Sequence, residues 1–194
     1  MLISPSSSYV RSGVAAMERA KDAVIVAAAL GTAYAGHTIG SSTVVLPAGS
    51  QIANGSAALT LAKITKAQEL MNIAEVPPEG RVIVVGGQQV TNMMNDSTIS
   101  SALYNDVRIL MANQIHEFAG FTWIRYERLP KASTIRSCVA FHPMYLSLGI
   151  FQDTQSRIAE RPDKSYATNV YMWNVLGAVR LQESAVVQID CVES

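Results

Sequence analysis

The chain has 194 residues, and its 15 Lys and Arg residues are balanced by 15 Asp and Glu residues. Charged residues make up 15% of the sequence, against about 25% in ordinary soluble domains, while hydrophobic residues make up 49%. The zero net charge and the lack of a basic run argue against a dedicated nucleic-acid binder, and a charge-poor surface favours burial against partners.

The cysteines and the apolar runs predict a reduced protein without a membrane span. Cys138 and Cys191 lie far apart in the sequence and lack metal-ligand spacing, which favours free thiols over a disulfide. The longest apolar run is residues 23–30, which is far shorter than the about 20 residues needed to cross a bilayer.

A long helix is predicted from about residue 5 to about residue 30. Its apolar side chains recur at alternating spacings of four and three, Pro5 suits a first helical turn, and Gly31 ends the pattern. At 1.5 Å per residue the helix is roughly 38 Å long. Its charged turn contains Glu18, Arg19, Lys21 and Asp22. We expect these side chains to face solvent or another subunit.

A loop or hairpin and a second helix follow. Residues 32–56 are rich in Gly, Ser, Thr and Ala, with one β-favouring run at residues 43–46. Thr60 is predicted to cap a helix that ends at Pro77-Pro78.

A strand and two further helices are predicted next. Arg81–Val85 reads as a short buried strand, and Gly86-Gly87 leads from it into a short helix near residues 88–94. A third helix is predicted after Ser100, with Leu103, Val107, Leu110 and Met111 on one face.

The pattern changes to β after residue 118. Strands are predicted within residues 118–129, at residues 135–141, and in three runs around residues 156–160, 166–181 and 185–192. A brief helix is predicted where Pro143 precedes the sequence MYLSLG. The fold class is therefore α+β, with a mostly antiparallel C-terminal third.

No catalytic, cofactor or metal residues are predicted. His37, His116 and His142 have no second ligand at metal spacing, and no G-x-S-x-G turn places a nucleophile. The strongest enzyme-like feature is the strand-to-helix turn at Val85–Gln88. It lacks both phosphate-binding glycine motifs, so an ordinary connection is favoured.

One charged segment stands out in this charge-poor chain. Its charged residues are Arg157, Glu160, Arg161, Asp163 and Lys164. Alternating signs predict either ion pairs across subunits or a solvated hairpin turn. The nearby Tyr166, Tyr171 and Trp173 are core or interface aromatics.

Four separated blocks of the sequence resemble the major capsid proteins of tailed double-stranded DNA bacteriophages. The blocks are SSYVRSGVAAMERAKDAVIVAAALGTAYAG, ITKAQELMNIAEVPPEGRVIVVGGQQVTNMM, FAGFTWIRYERLP and RIAERPDKSYATNVYMWNVLGAVRLQESAVVQIDC. Their order and spacing match that family from about Ser7 to Cys191.

This resemblance implies the Hong Kong 97-like capsid fold, with a long spine helix, an axial domain of sheet flanked by helices, and a peripheral domain with long antiparallel strands. Residues 1–56 would supply the spine helix and part of the peripheral domain, residues 57–150 the axial domain, and residues 151–194 the returning peripheral strands. Family members usually carry an N-terminal arm and an extended loop before the spine helix. This chain is expected to lack both.

The resemblance also implies a structural, non-enzymatic virion protein, made in the bacterial host cytoplasm. It would assemble with itself into pentamers, hexamers or an icosahedral shell around packaged double-stranded DNA, without sequence readout and without a membrane. A scaffolding or decoration protein is a further expected partner. The candidate intersubunit contacts are Arg157, Glu160, Arg161, Asp163, Lys164, Glu18 and Arg19. Two alternatives are a capsid-derived protein that redirects full-length subunits, and a small nucleotide-binding α/β enzyme that uses the Val85–Gln88 turn.

Overall fold

The computed structural model describes residues 8–35, 42–95 and 117–193. The chain divides into two compact units. The ribbon unit comprises Met1–Ile25 and Leu148–Ala178, and the sheet unit comprises Val26–Ser147 and Val179–Ser194. The predicted division into axial and peripheral domains stays a prediction.

Helix α1 runs from Ser8 to Leu30, close to the predicted bounds. Its 23 residues span about 35 Å. It ends as predicted at Gly31, whose N–H donates to the carbonyl of Ala27 at 2.8 Å. A Cβ at position 31 would lie 2.5 Å from that oxygen, so only glycine fits this termination.

Two short strands form a hairpin, one of the two alternatives predicted for residues 32–56. Strand β1 is Ala33–Ala35 and pairs antiparallel with β2, Ser42–Val44. The predicted β-run at residues 43–46 is thus shifted, because Pro47 opens a 3-10 turn at Ala48–Ser50. Strand β3, Gln51–Ile52, follows directly.

Helix α2 is Leu61–Ile73, with Thr60 at its N-cap position as predicted. The capping differs from the expectation, because the Thr60 carbonyl, rather than its hydroxyl, accepts hydrogen bonds from the helix. The helix ends at Ile73, before Pro77, because Glu75 adopts a left-handed φ of 55°. The N–H of Val76 then donates to the carbonyl of Met71 at 3.0 Å, which satisfies the open helix end.

The sheet unit is built on a seven-stranded mixed sheet. Its central strands are β4 (Val82–Val85), β8 (Ile135–Phe141) and β11 (Val186–Val192), and helix α3 (Gly87–Met94) follows β4. The short strands β5 (Glu117–Phe118), β6 (Phe121–Arg125) and β7 (Lys131–Ala132) complete it. The order is β3-β11-β8-β4-β6-β5, with β7 paired to β8. The β3–β11 and β4–β6 pairs are parallel, and the others are antiparallel.

The core lies between this sheet and α2. Along α2, the buried residues Ile64, Ala67 and Met71 follow the helical period, and the helix packs against β3 and β11. Three of the four residues of β4 are buried, which explains why the sequence VIVV reads as a continuous apolar run.

A buried lysine joins α2 to the sheet. The Nζ of Lys63 donates to the carbonyls of Asn54 and Ala57 at 2.8 Å and of Asp190 at 2.9 Å. All three protons of the ammonium group are therefore used inside the sheet unit.

A buried arginine holds the end of α1. The Nη1 of Arg180 donates to the carbonyls of Ala29 at 2.8 Å and Gly31 at 2.9 Å, and its Nη2 donates to Val44 at 3.2 Å. Burial lowers the pKa of Arg180. The guanidinium satisfies carbonyls that the helix end leaves open.

The ribbon unit contains two long strands. Strand β9 is Leu146–Arg161 and strand β10 is Ala167–Arg180. The run predicted around residues 156–160 is therefore much too short, and the helix predicted at MYLSLG is only a 3-10 turn at Pro143–Tyr145, after which β9 begins. The predicted run at residues 166–181 matches β10 closely. The helix predicted after Ser100 lies outside the described residues.

Gly13 marks the close approach of α1 to the ribbon. A Cβ at position 13 would lie 2.6 Å from the Sδ of Met172 on β10.

In the described part of the chain, no helix has the length and apolarity for a bilayer crossing.

Candidate functional site

The ribbon of β9 and β10 carries five of the seven predicted contact residues. Within the described residues these strands pair only with each other, and a 3-10 turn at Pro162–Lys164 joins them. A connection this short excludes a parallel crossover, so the strands are antiparallel. Ser165 and Tyr166 complete the reversal with φ of 52° and 58°.

One predicted ion pair forms inside the turn. Arg161 donates to both carboxylate oxygens of Asp163, from Nε at 3.0 Å and from Nη2 at 2.6 Å. These hydrogen bonds lower the pKa of Asp163. Both side chains remain about half exposed. The pair therefore shapes the turn, and its outer face remains accessible.

The other charged residues of the tip point to solvent. Arg157, Glu160 and Lys164 are exposed, and no ion pair among the described residues engages them. A cation, an anion and a second cation are thus displayed along one end of the ribbon. They are free to meet charges on another molecule.

Lys21 belongs to the charged turn of α1 that was expected to face solvent or another subunit, but its side chain contacts β9 of the same chain. The Nζ of Lys21 bonds Glu18 at 3.0 Å and Asp153 at 3.2 Å. These two hydrogen bonds raise the pKa of Lys21, and the pKa of Asp153 is lowered by the N–H of Thr154 and by Lys21. The predicted contact residue Glu18 is therefore partly used within the ribbon unit.

Arg19 has a different surrounding from Glu18. It is exposed on α1, and none of the ion pairs in the described residues includes it. The structure thus brings five of the seven predicted residues together at the ribbon tip, while Glu18 and Arg19 lie on the helix.

An aromatic pair lies on β10. Tyr171 and Trp173 are two residues apart and therefore share a face of the strand. Their rings stack with centroids 5.2 Å apart at 27°. Tyr171 is 58% exposed, and Phe151 on β9 is 90% exposed. The sequence left these aromatics open between core and interface, and the structure exposes Tyr171.

The strand-to-helix turn at Val85–Gln88 is filled by the chain itself. The N–H of Gly87, the first residue of α3, donates to the carboxylate of Glu127. This carboxylate occupies one of the backbone N–H groups that a phosphate at a helix N-terminus would use.

A buried acid lies beside this turn. Glu193 is 4% exposed and forms ion pairs with Arg136 and Lys131, while Gln89 donates to it at 3.0 Å. Burial acts to raise the pKa of Glu193, but the hydrogen bonds from Arg136, Lys131 and Gln89 outweigh it and hold the pKa at about 2. The network ties β11 to β7, β8 and α3.

His142, which lies within the described residues, has a structural role. The Nδ1 of His142 accepts from the N–H of Met144 at 3.1 Å, so its Nε2 donates to the carbonyl of Glu79 at 2.9 Å. His37 and His116 lie outside the described residues. Within the described ranges, no group of three or more His, Cys, Asp or Glu side chains is placed to hold a metal ion.

The cysteines are free and buried, as the sequence predicted. Cys138 lies on β8 and Cys191 on β11, the adjacent strand. The hydrogen bond to Cys191 and burial together raise the pKa of Cys138, so this thiol stays protonated at neutral pH. Their proximity could not be foreseen from two residues so distant in the sequence.

Comparisons with known proteins point to one family. A family model described as phage capsid protein matches residues 1–193. A search of curated proteins finds no significant match.

Solved structures share the fold. A structure from Mycobacterium phage Che8 matches with a TM-score of 0.63 and 21% identity, covering 93% of this chain and 61% of that one. The capsid of cyanophage P-SCSP1u matches with a TM-score of 0.63 and 16% identity, covering 100% and 67%. The holo-SrpI encapsulin complex from Synechococcus elongatus matches with a TM-score of 0.58 and 9% identity, covering 95% and 64%.

These likenesses confirm the Hong Kong 97-type fold predicted from the sequence. The chain spans 61% to 67% of the length of these three matched chains.

Proposed function

Because the chain belongs to the phage capsid protein family, we propose that it is a shell subunit that associates with copies of itself into pentamers, hexamers or an icosahedral shell. The observation that carries this proposal is the family match over residues 1–193, and the fold agrees with it. The role is structural, without catalysis.

The mechanism is geometric and multivalent. In a closed symmetric assembly, each weak contact is repeated at every equivalent position, so the shell holds although no single interface is strong. Low charge supports this reading, since only 15% of the residues are charged. Such a surface loses little solvation when neighbouring subunits cover it.

Charged side chains would set the register between neighbours. Arg157, Glu160, Lys164 and Arg19 are exposed and outside the ion pairs of the described chain, so they are open to opposite charges on the next subunit. Three further candidates, Arg161, Asp163 and Glu18, are already engaged within the ribbon unit and would contribute through the faces that remain exposed.

The shell would enclose packaged double-stranded DNA. Zero net charge favours weak contact with the phosphate backbone and no base readout. The subunit would be made in the cytoplasm of the bacterial host and end in the virion capsid. A scaffolding or decoration protein is a further partner of the proposed assembly, and no membrane takes part.

The test is the mass distribution of the purified protein by light scattering, followed by negative-stain electron microscopy of the largest species. Rings of five or six subunits, or closed shells, are expected. A single monomeric or dimeric species at every concentration would overturn assembly by this chain.

Charge reversal at the tip tests the register separately. Lys164→Glu is expected to reduce the assembled fraction. Raising the salt concentration should also reduce the assembled fraction of the wild-type protein, because salt screens the charges at the tip. Lys66→Glu is the control, because Lys66 is also exposed but lies on α2 in the sheet unit, where it pairs with Glu69. Equal effects of the two reversals would contradict a contact at the tip.

A further inference from the structure

We propose that Cys138 and Cys191 together bind one soft monovalent metal ion, Cu(I), between two strands of the sheet unit. The site does not depend on assembly into a shell. Its starting point is the register of the strands. Cys138 on β8 pairs with Ile189 of β11, and Cys191 lies two residues further along β11, opposite Arg136. Residues two apart share a face of a strand, so both thiols lie on the same face of the sheet.

The two thiols are in contact inside the sheet unit. Both side chains are fully buried, and the Cys138 thiol donates a hydrogen bond to the sulfur of Cys191. The Cys191 sulfur also lies 3.8 Å from the carbonyl oxygen of Ile189. The sulfur of Cys138 accepts a further hydrogen bond from the backbone of Gly86, the residue before α3. The surrounding backbone thus holds two soft ligand atoms next to each other.

The spacing of the strands suits an interposed ion better than a direct sulfur–sulfur bond. Diagonal neighbours on paired antiparallel strands have Cα atoms about 7 to 8 Å apart, whereas a disulfide requires about 4.4 to 6.8 Å. Two metal–thiolate bonds of about 2.3 Å place the sulfur atoms up to about 4.6 Å apart. A small side-chain rotation opens the contact of two hydrogen-bonded thiols to this distance, without a shift of either strand.

The number and kind of ligands select the ion. Thiolates prefer soft ions such as Cu(I), and two thiolates in line satisfy this ion. Zn²⁺ instead takes four ligands in structural sites. Within the described part of the chain, no third His, Cys, Asp or Glu side chain joins the pair to form a larger metal-binding group. The pair therefore favours Cu(I) over Zn²⁺.

A buried lysine supplies the opposite charge. Two thiols and one Cu⁺ give one S–Cu–S bridge of charge −1 and release two protons to solvent. Lys63 is 9% exposed, and its ammonium group donates to three backbone carbonyls, including that of Asp190 next to Cys191. No ion pair of the described residues contains Lys63. The anionic bridge would neutralise this buried positive charge.

The thiol protons leave in a defined order. The hydrogen bond from Cys138 lowers the pKa of Cys191 against the opposing effect of burial, and Lys63 acts in the same direction. That hydrogen bond and burial raise the pKa of Cys138. Cys191 therefore loses its proton first, and the metal displaces the second proton from Cys138. The charged side chains that act on the pair are two cations, Lys63 and Arg136, and two anions, Asp190 and Glu193.

The experiment measures Cu(I) binding by the full chain, refolded from urea without oxygen in competition with a coloured Cu(I) chelator. Refolding is used because the thiols are buried, so the ion enters as the sheet forms. The variants are Cys138→Ser and Cys191→Ser. Met144→Leu is the matched control, since Met144 is 65% exposed and carries a soft sulfur atom outside the pair. Circular dichroism verifies that each variant folds.

We expect one Cu(I) per chain. Each cysteine variant should bind Cu(I) at least about 100-fold more weakly, because loss of an outer hydrogen-bonding group alone costs up to that much, and Met144→Leu should change the affinity by less than about twofold. Because binding releases protons, the affinity of the wild-type protein should rise about tenfold or more from about pH 6 to about pH 7. An equal concentration of Zn²⁺ should not displace the ion.

Several results would overturn the inference. Equal binding by Cys138→Ser and the wild type, or binding without pH dependence, would assign the ion to exposed methionines. A refolded wild-type protein that retains no Cu(I) would show that the pair is not a site. A loss of two hydrogen atoms on refolding with oxidised glutathione, seen by mass spectrometry, would show strands close enough for a direct bond. If a cysteine variant does not fold, the stoichiometry and pH dependence of the wild type decide.

Discussion

Replacing Glu193 by Gln tests whether the buried ion network holds the sheet unit together. The substitution keeps the size of the side chain and its bond to Gln89 but removes the charge that Arg136 and Lys131 face. The folded chain holds the pKa of Glu193 at about 2, against an ordinary value of 4.5. That difference corresponds to about 3 kcal/mol of stabilisation at neutral pH. Truncating one partner of a buried pair costs a similar amount, because it leaves the other charge unpaired.

The sign of the pH dependence follows from the lowered pKa. Between pH 4.5 and about pH 2, the unfolded chain binds a proton that the folded chain excludes. The stabilisation by Glu193 is therefore complete above pH 4.5 and is lost progressively as the pH falls towards 2. The Glu193→Gln protein lacks this component of the acid sensitivity.

The assay is urea unfolding of both proteins at pH 7 and at pH 2.5, followed by circular dichroism. At pH 7 the variant is expected to unfold at a urea concentration about 1 to 3 M lower than the wild type. At pH 2.5 most of the difference between the two midpoints is expected to disappear, because this pH is close to the pKa of Glu193 in the folded chain. Glu69→Gln is the control, since Glu69 and its partner Lys66 are both about half exposed and such a pair contributes only about 0.5 kcal/mol. Equal stability of Glu193→Gln and wild type at pH 7 would refute the reasoning.

Three further predictions concern buried groups of the sheet unit. Lys63→Met leaves three carbonyls without their donor and should lower the free energy of unfolding by about 2 to 4 kcal/mol in chemical denaturation, whereas Lys66→Met should change it by less than about 0.5 kcal/mol. Arg180→Met uncaps the end of α1 and should cost about 2 to 4 kcal/mol, measured in the same way with helix content followed by far-UV circular dichroism. Cys138 and Cys191 should both resist a thiol reagent in the folded protein and both react in denaturant, as counted by mass spectrometry.

Each of these predictions has an outcome that contradicts it. Lys63→Met as stable as Lys66→Met would mean that water replaces the ammonium group at the three carbonyls. An Arg180→Met protein with unchanged stability would show that solvent satisfies the end of α1 equally well. Labelling of either cysteine at the rate of a free thiol in the folded state would contradict the burial of the β8–β11 pair.

The sequence predicted elements well where burial imposes a period. The strands at Val82–Val85 and Val186–Val192 match, because most of their side chains pack on the core. Helix α1 matches as well, although Val26 and Ala29 are its only buried residues in the described chain. Their partners were not predictable, since nothing local makes Gln188 pair with Val139 of β8 and Gln51 of β3. Pairing is decided by contacts between distant segments.

The sequence failed on β9 for a physical reason. The strand runs for 16 residues, yet most of its side chains are exposed, so its sequence lacks the buried run or strict alternation that marks a strand. Pro143, which suits a first helical turn, instead suggested a helix in the sequence MYLSLG. The charged tip was found because charges are rare in this chain, whereas Tyr171 and Trp173 stayed ambiguous, because an aromatic residue has the same pattern in a core and at an interface.

Whether a side chain has partners within its own chain separates its role in folding from a role in assembly. Glu127, Lys63 and Arg180 have their charges satisfied by partners within the sheet unit, so their removal is expected to appear as a loss of stability. Phe151 and Tyr171 are mostly exposed, so their removal costs the isolated subunit little. Loss of assembly without loss of stability would therefore indicate a contact with a partner, and measuring stability and assembly on the same variants distinguishes residues that hold the subunit together from residues that join subunits.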